Sequence, residues 1–378
     1  MAILFLMNGG LFGTWVSRIP AVQTGRGLSH ATLGLALLAI AAGALVAMPL
    51  AGRLAARFGS HRVCQLCAVF YALALPMLAI APGFMLFVTV LVGFGACHGA
   101  LDVAMNAQAV VVEKRYRRPI MSSFHALFSV GGLAGAAIGG LVASFGVSPT
   151  PHFIGAAVTL LAVAVVIAFP HLIPDQQLGS RREHSKAGSR FPLPPRALLA
   201  IGAVAFCAMV GEGAMADWSG VFLKQALQAS DGFAAAGYAA FSATMVGTRL
   251  CGDALSTRLG PVNLVRLSGA VAVLGMIFVL VGPSPGMAML GFALVGAGFA
   301  TVVPVAFSAA GRASGVSPSA ALATVTTIGY LGFLVGPPII GFVAEWLGLR
   351  GALALIVISS GMIFALAPAV RGDRERLA

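Results

Sequence analysis

Charge is what this sequence has least of. Only 9% of its 378 residues are Asp, Glu, Lys or Arg, against roughly 25% in an ordinary soluble domain, and just 11 are acids. Too few charges are present to clothe a soluble globule of this length, so the chain reads as an integral membrane protein. The shortage of acids also limits chemistry. No metal-ligand cluster, phosphate loop or nucleophile triad emerges, so neither an enzyme nor a cofactor is expected. Five cysteines, an odd number lying mostly in apolar runs, supply no disulfide framework. The CxxC of Cys64 and Cys67 has no partner motif elsewhere and suits apolar packing.

What the sequence has instead is hydrophobic length, with 59% of residues apolar. Runs of about 18 or more apolar residues, each able to cross a hydrocarbon core about 30 Å thick as a helix, recur from end to end. They cover residues 2–24, 30–55, 63–81, 84–112, 121–145, 151–172, 197–227, 233–256, 262–281, 286–310, 319–346 and 351–370. The expected fold is therefore an all-α integral membrane protein of twelve transmembrane helices. The first run lacks a basic n-region and a small-x-small cleavage site and continues into Trp15, Arg18 and Pro20, so it is a membrane helix and not a signal peptide. The one long polar segment, residues 173–195, contains DQQLGSRREHSKAGSR and reads as a linker.

The formal charge of +12 is spread by topology and not gathered on one face, which argues against a nucleic-acid partner. Arg57, Arg62, Lys114, Arg115, Arg117, Arg118, Arg181, Arg182, Lys186, Arg190, Arg258 and Arg312 fall in the even-numbered junctions, and Arg371, Arg374 and Arg376 in the tail. The other side has little beyond Arg26 and Arg350. The positive-inside rule then puts both termini and the linker in the cytoplasm.

The two halves repeat. Gly135, Ile138, Gly140, Val142 and Ala143 recur 201 residues later as Gly336, Ile339, Gly341, Val343 and Ala344, and Leu54, Arg57 and Gly59 recur at the same shift as Leu255, Arg258 and Gly260. VGFG at Val92 recurs as VGAG at Val295, a shift of 203. Agreement in offset, span number and membrane side points to two pseudo-symmetric six-helix bundles, 1–172 and 196–378, joined by the linker 173–195.

GRLAARFGSHR, Gly52 to Arg62, resembles the loop between the second and third helices of the major facilitator superfamily. Gly52, Arg57, Gly59 and Arg62 match it, and Ala56 stands where that motif has aspartate. GGLAGAAIGG, Gly131 to Gly140, resembles the fifth-helix glycine motif of the superfamily's proton-linked antiporters, with Ala136 in the proline's place. The resemblance implies a major facilitator fold, and gating roles for the loop residues and for Gly131, Gly135 and Gly139. The bare reading of the arginines is cytoplasmic anchoring. Of the glycines it is close helix packing, since they fall on one face four residues apart.

An ionisable residue at mid-membrane costs about 2.5 to 3.5 kcal/mol on insertion scales and calls for an explanation. On the fourth span His98, Asp102 and Asn106 recur every four residues, within an arc of about 80° on a helix, and can line one cavity. Gly95 and Gly99 flank that arc. On the seventh span GEGAMADWSG, Gly211 to Gly220, places Glu212 near the middle and Asp217 and Trp218 nearer the outside. A salt bridge between Asp217 and Arg18 is an alternative use of that acid. Arg249 and Asp253, four apart near the inner end of the eighth span, read as a helix-stabilising or gating pair.

LDVAMNA, Leu101 to Ala107, is similar to the LETAANP of fucose-permease-type sugar symporters, with Ala107 in place of the proline. The resemblance implies a bacterial inner-membrane sugar symporter in which Asp102 carries a proton and Asn106 lies beside substrate. The family's second acid, on the first helix, has no counterpart; Asn8, Trp15 and Arg18 stand there. Asp102 and Glu212 are thus the proton-coupling candidates, and Asn8, Trp15, His98, Asn106, Asp217 and Trp218 the substrate-binding ones. The expected partners are a small solute, protons and the bilayer, with the chain acting as a monomer by alternating access. A proton-linked exporter of drugs or amphiphiles is the competing transporter. Against it, Thr89 occupies the place where such antiporters carry an arginine. A non-transporting membrane receptor or scaffold is the competing class.

The topology is directly testable. A reporter that functions only in the cytoplasm should be active when fused within residues 173–195 or after residue 371, and silent when fused near residue 147 or 283.

Overall fold

The computed structural model describes residues 1–116, 121–174, 196–313 and 318–371. Among them the chain is helical almost throughout and contains no strand. The helices are α1 (Ala2–Arg26), α2 (His30–Phe58), α3 (Ser60–Ile80), α4 (Gly83–Tyr116), α5 (Met121–Ser144), α6 (Pro149–Val163), α7 (Arg196–Gln225), α8 (Asp231–Ala235), α9 (Gly237–Leu259), α10 (Pro261–Val281), α11 (Pro285–Phe299), α12 (Val302–Gly311) and α13 (Pro318–Leu366).

Ten described stretches are long and apolar enough to cross a membrane. The longest, Thr324–Val370, is two crossings, because Gly348 at φ 68°, ψ 171° interrupts the helix. The 23-residue α9 is long enough to cross but is diluted by Arg249, Asp253 and Arg258. Counting the broken stretch twice and adding α9 gives the twelve crossings expected from the sequence. The expected linker, 173–195, lies outside the described residues apart from Ile173 and Pro174.

Three spans depart from plain helix. The sixth passes from α6 into a π turn, Ala164–Ala168, and a 3-10 turn, Phe169–His171, around Pro170, which has no N–H to continue the ladder. The eighth is preceded by the separate turn α8. The tenth, continuous in the sequence reading, is broken between α11 and α12 at Ala300 and Thr301.

Contacts divide the chain into two compact units, Met1–Ser185 with Ser230–Ala239, and Lys186–Ala229 with Ala240–Ala378. In the first unit α1 packs on α5 and α6, α2 on α4, and α3 on α4 and α6. In the second, α7 and α10 pack on α13, and α10 also packs on α11. Gly296 brings α11 against α9, since a Cβ there would lie 2.1 Å from Phe241 O. The same pairing scheme thus occurs twice. The repeat extends to backbone conformation: Gly59 (φ 90°) and Gly260 (φ 73°), 201 residues apart, both take the left-handed region after the second long helix of their half.

Glycine sets the helix spacing. A Cβ on Gly131 would lie 2.1 Å from Leu6 O, on Gly135 2.4 Å from Gly10 O, and on Gly139 2.0 Å from Ser17 Oγ. From the other side, Gly9 and Gly13 meet Phe128 O and Gly132 O at 2.0 and 2.1 Å. The α5 glycines singled out in the sequence therefore form a backbone-to-backbone seam with α1. Gly43, Gly95 and Gly99 form a second seam between α2 and α4. Without a hydrophobic driving force between helices in lipid, such close packing carries much of the association.

Two glycines of one helix provide an internal control. A Cβ on Gly95 would sit 2.0 Å from Ile40 O, whereas Gly93 has nothing within 4 Å. Gly95→Ala should lower the Tm of detergent-purified protein by an amount corresponding to about 1 to 3 kcal/mol of overpacking. Gly93→Ala should leave it unchanged or slightly raised.

Candidate functional site

The first unit assembles a polar cluster from α1 and α4 with aromatic walls from α1, α3 and α5. Asn8 is fully buried on α1, where a neutral amide can be kept only if its atoms are partnered. His98 Nδ1–H donates to Asn8 Oδ1 at 2.8 Å, and Asn8 Nδ2 approaches Met105 Sδ at 3.7 Å. With Nδ1 as donor, Nε2 of the neutral imidazole is left as an acceptor. Phe12 stacks on His98 at 5.4 Å with an interplanar angle of 22°. Tyr71 and Phe128 stand at 5.5 and 6.2 Å.

One turn along α4, Asn106 Nδ2 donates to Asp102 O at 2.9 Å and to Asp102 Oδ1 at 3.2 Å. Both side chains are half-buried. The arc read from the sequence therefore resolves into two pairs, Asn8–His98 and Asp102–Asn106. Asn8 ties them together, because it reaches His98 and Met105, which bracket Asp102 on the helix. Gly95 and Gly99, expected beside the arc, let α2 approach closely.

In the second unit the centre of interest is the helix break. Pro304 has no N–H, so the carbonyl of Ala300, four residues earlier, loses its helical donor. Arg249 Nε supplies one at 3.2 Å, and Arg249 Nη2 lies 3.6 Å from Glu212 Oε2. One guanidinium thus joins α7, α9 and the broken span. Beside it Ser268 Oγ and Thr301 Oγ1 are 3.0 Å apart. Glu212 is thus a partner of Arg249; the side chain of Asp253, expected from spacing to pair with Arg249, lies outside the described residues.

The remaining candidates are dispersed. Trp15 is 1% exposed and enclosed by Phe87, Phe94 and Phe153 at 6.3 to 6.4 Å. Trp218 is fully buried on α7, and Asp217 is half-buried next to it. In the loop motif Gly59 is buried, Gly52 intermediate, and Arg57 and Arg62 exposed, with Arg57 lying over the Phe58 ring at 5.1 Å. Arg18, weighed as a partner for Asp217, donates Nη2 to Val147 O.

Several structural devices were not read from the sequence. Gln108, fully buried, donates to Ser60 Oγ at 2.8 Å and to Ile173 O at 3.1 Å, and accepts from Ile173 N at 2.9 Å. It clasps the chain leaving the sixth span to the start of α3. Arg26 donates to Leu78 O, Ala79 O and Ala81 O at 2.8 to 3.2 Å, and Arg350 donates to Leu280 O. The signal available for the break was Pro304 itself.

With this geometry in hand, comparison with known proteins is informative. Residues 1–318 match the family described as Major Facilitator Superfamily. The chain is 39% identical over 379 residues to the membrane protein MosC of Rhizobium meliloti, covering 100% of this chain and 90% of that protein. It is 37% identical over 367 residues to an uncharacterized transporter, y4wD, of Sinorhizobium fredii, covering 97% and 96% of the two chains. Among solved structures, the nucleoside transporter NupG in its D323A form aligns with a TM-score of 0.78 at 17% identity, over 98% of this chain and 97% of that one. A D-xylose-proton symporter aligns with a TM-score of 0.74 at 14% identity, over 98% of each chain. These two likenesses are of fold.

The orphaned carbonyl yields a test. Arg249→Gln should destabilise the protein by about 1 to 3 kcal/mol, the cost of leaving a buried polar group unpaired. In a Pro304→Ala background, where residue 304 regains an N–H for Ala300 O, the same substitution should cost measurably less. Thermal unfolding of the four proteins measures the difference.

Proposed function

The chain belongs to the Major Facilitator Superfamily, and on that premise we propose that it moves a small polar, sugar-like solute across the bacterial inner membrane by proton-coupled alternating access. The observation that carries the reading is the pair Asp102–Asn106 on α4 set beside the Asn8–His98 pair that joins α1 to α4. A hydroxyl-rich solute needs groups that both donate and accept, together with flat apolar surface for its ring face. The two amides and the imidazole supply the first, and the half-buried Phe12 and Phe128 supply the second.

The partners of the two acids separate their roles. Asn106 is an amide, able to donate to a carboxylate or accept from a carboxylic acid, so Asp102 can gain or lose a proton without orphaning its neighbour. Glu212 faces a guanidinium, which only donates, and neutralising the acid would leave Arg249 without its counter-charge. We therefore assign proton transfer to Asp102 and a holding role to the Glu212–Arg249 pair. The similarity of Leu101–Ala107 to the fucose-permease motif supports the same assignment. So do the names of the fold neighbours, a nucleoside transporter and a D-xylose-proton symporter, whose solutes are rich in hydroxyls.

Proteoliposomes screened with sugars, polyols and nucleosides, with and without a proton gradient, test the proposal. One proton crossing 100 mV releases about 2.3 kcal/mol, enough to concentrate a neutral solute roughly fiftyfold. Asp102→Asn should abolish gradient-driven accumulation while leaving solute counterflow intact. Accumulation unchanged in Asp102→Asn would remove the proton assignment. Resistance to amphiphilic drugs without any sugar uptake would replace the symporter with an exporter.

A further inference from the structure

The turn from α2 into α3 carries a basic surface that the transport reading does not use. Arg53 and Arg57, one turn apart on α2, and Arg62 in the first turn of α3 are all exposed. None of the three has a hydrogen bond or an ion pair with another described residue, and Arg57 lies over the Phe58 ring. Ala56 stands where the superfamily's loop has its aspartate, so no acid lies between Gly52 and Arg62. Duplication does not explain the cluster. The shift of 201 residues pairs Arg57 with Arg258, but it pairs Arg53 with Ala254, Arg62 with Asn263 and Gly52 with Asp253. Three positive charges without an acid in one half thus correspond to one charge of each sign in the other.

The arginines also head exposed apolar faces. At 3.6 residues per turn, Val46, Leu50, Arg53 and Arg57 fall within about 60° on α2, and Arg62, Leu66, Phe70 and Leu73 within about 80° on α3. The apolar members of both sets are exposed and run from the arginines toward the middle of each span.

We propose that this corner binds an anionic phospholipid, its phosphodiester between Arg53 and Arg57 and its acyl chains along the two apolar faces, with Arg62 adding charge at the headgroup. Like charges one turn apart on a helix repel, and an anion held between them removes that cost. A guanidinium meets a phosphate through charge-assisted hydrogen bonds, the strong class of such bonds. Free phosphate would find the same arginines but gain nothing from Val46, Leu50, Leu66 or Phe70. A zwitterionic lipid carries the same phosphodiester, yet its own cation competes with the arginines for it. The occupant is thus a lipid whose headgroup keeps a net negative charge.

The test titrates the purified full-length chain in detergent with dioleoyl phosphatidylglycerol, with dioleoyl phosphatidylcholine as the zwitterionic control and sodium phosphate as the free anion. Phosphatidylglycerol should raise Tm saturably, and the other two should not. Arg57→Gln should weaken the apparent affinity for phosphatidylglycerol about fivefold, and Arg53→Gln with Arg57→Gln about thirtyfold, the size of an arginine's attraction to an anionic lipid surface taken once and twice. Arg258→Gln, the repeat-related substitution, should leave the affinity unchanged. The proposal is overturned by the lack of a saturable shift, by an equal response to phosphatidylcholine or sodium phosphate, or by a response that survives the double substitution. It is overturned equally if Arg258→Gln weakens the response as much as Arg57→Gln does.

Discussion

Hydrocarbon offers no hydrogen bonds, so every backbone carbonyl released at a helix end or a proline inside the membrane must find its donor within the protein. At several such places in this chain the donor is an arginine. Arg26 takes the last carbonyls of α3 and stacks over Phe87 at 4.3 Å. Arg350 takes Leu280 O near the end of α10, the helix that corresponds to α3 in the repeat. Arg249 takes the carbonyl that Pro304 orphans, and Arg18 takes that of Val147. A guanidinium suits the task because it presents five N–H groups, keeps its charge, and at a helix C-terminus also meets the negative end of the helix dipole.

This accounts for the two arginines that sit on the sparsely charged side of the membrane. Most of the basic residues fall on the side expected from the sequence to be cytoplasmic, and Arg26 and Arg350 stand apart from that pattern. Each is held at the end of an equivalent helix, one in each half. They come from different places in the repeat, since the shift of 201 pairs Arg26 with Leu227 and Arg350 with Pro149, yet each caps the end of its half's third span. The glycine seams serve the same economy from the opposite direction. Where α1 and α5 approach until a Cβ would clash with carbonyl oxygen, the backbone itself becomes the packing surface.

Much of the fold was legible because it is periodic. Apolar runs of membrane length, a constant offset between halves and a polar segment at the midpoint are one-dimensional signals, and Gly59 and Gly260 show the offset surviving in backbone conformation. The pair Asp102–Asn106 was legible for a similar reason, since residues four apart on a helix are neighbours whatever surrounds them. Contacts between distant segments were not. Nothing local distinguishes Asn8 as the partner of His98, 90 residues away, or Glu212 as a partner of Arg249. Nor does anything local reveal that three phenylalanines from two other helices enclose Trp15, a candidate for substrate binding.

The two halves differ at one pair of repeat-related positions. Applying the shift of 203 residues that relates VGFG to VGAG places Pro304 opposite Leu101, one residue from Asp102. Where α4 is a continuous helix carrying a carboxylate bound to an amide, the tenth span is broken and its free carbonyl is bound to a guanidinium. The two repeat-related spans thus depart from each other at corresponding positions. A site that recurred in both halves would be explained by packing alone. On the proposed transport reading the difference divides the labour: the uninterrupted α4 keeps Asp102 and Asn106 in fixed register for proton and solute. The break in the tenth span leaves its two segments joined in the chain through Ala300 and Thr301, which Arg249 and Ser268 hold.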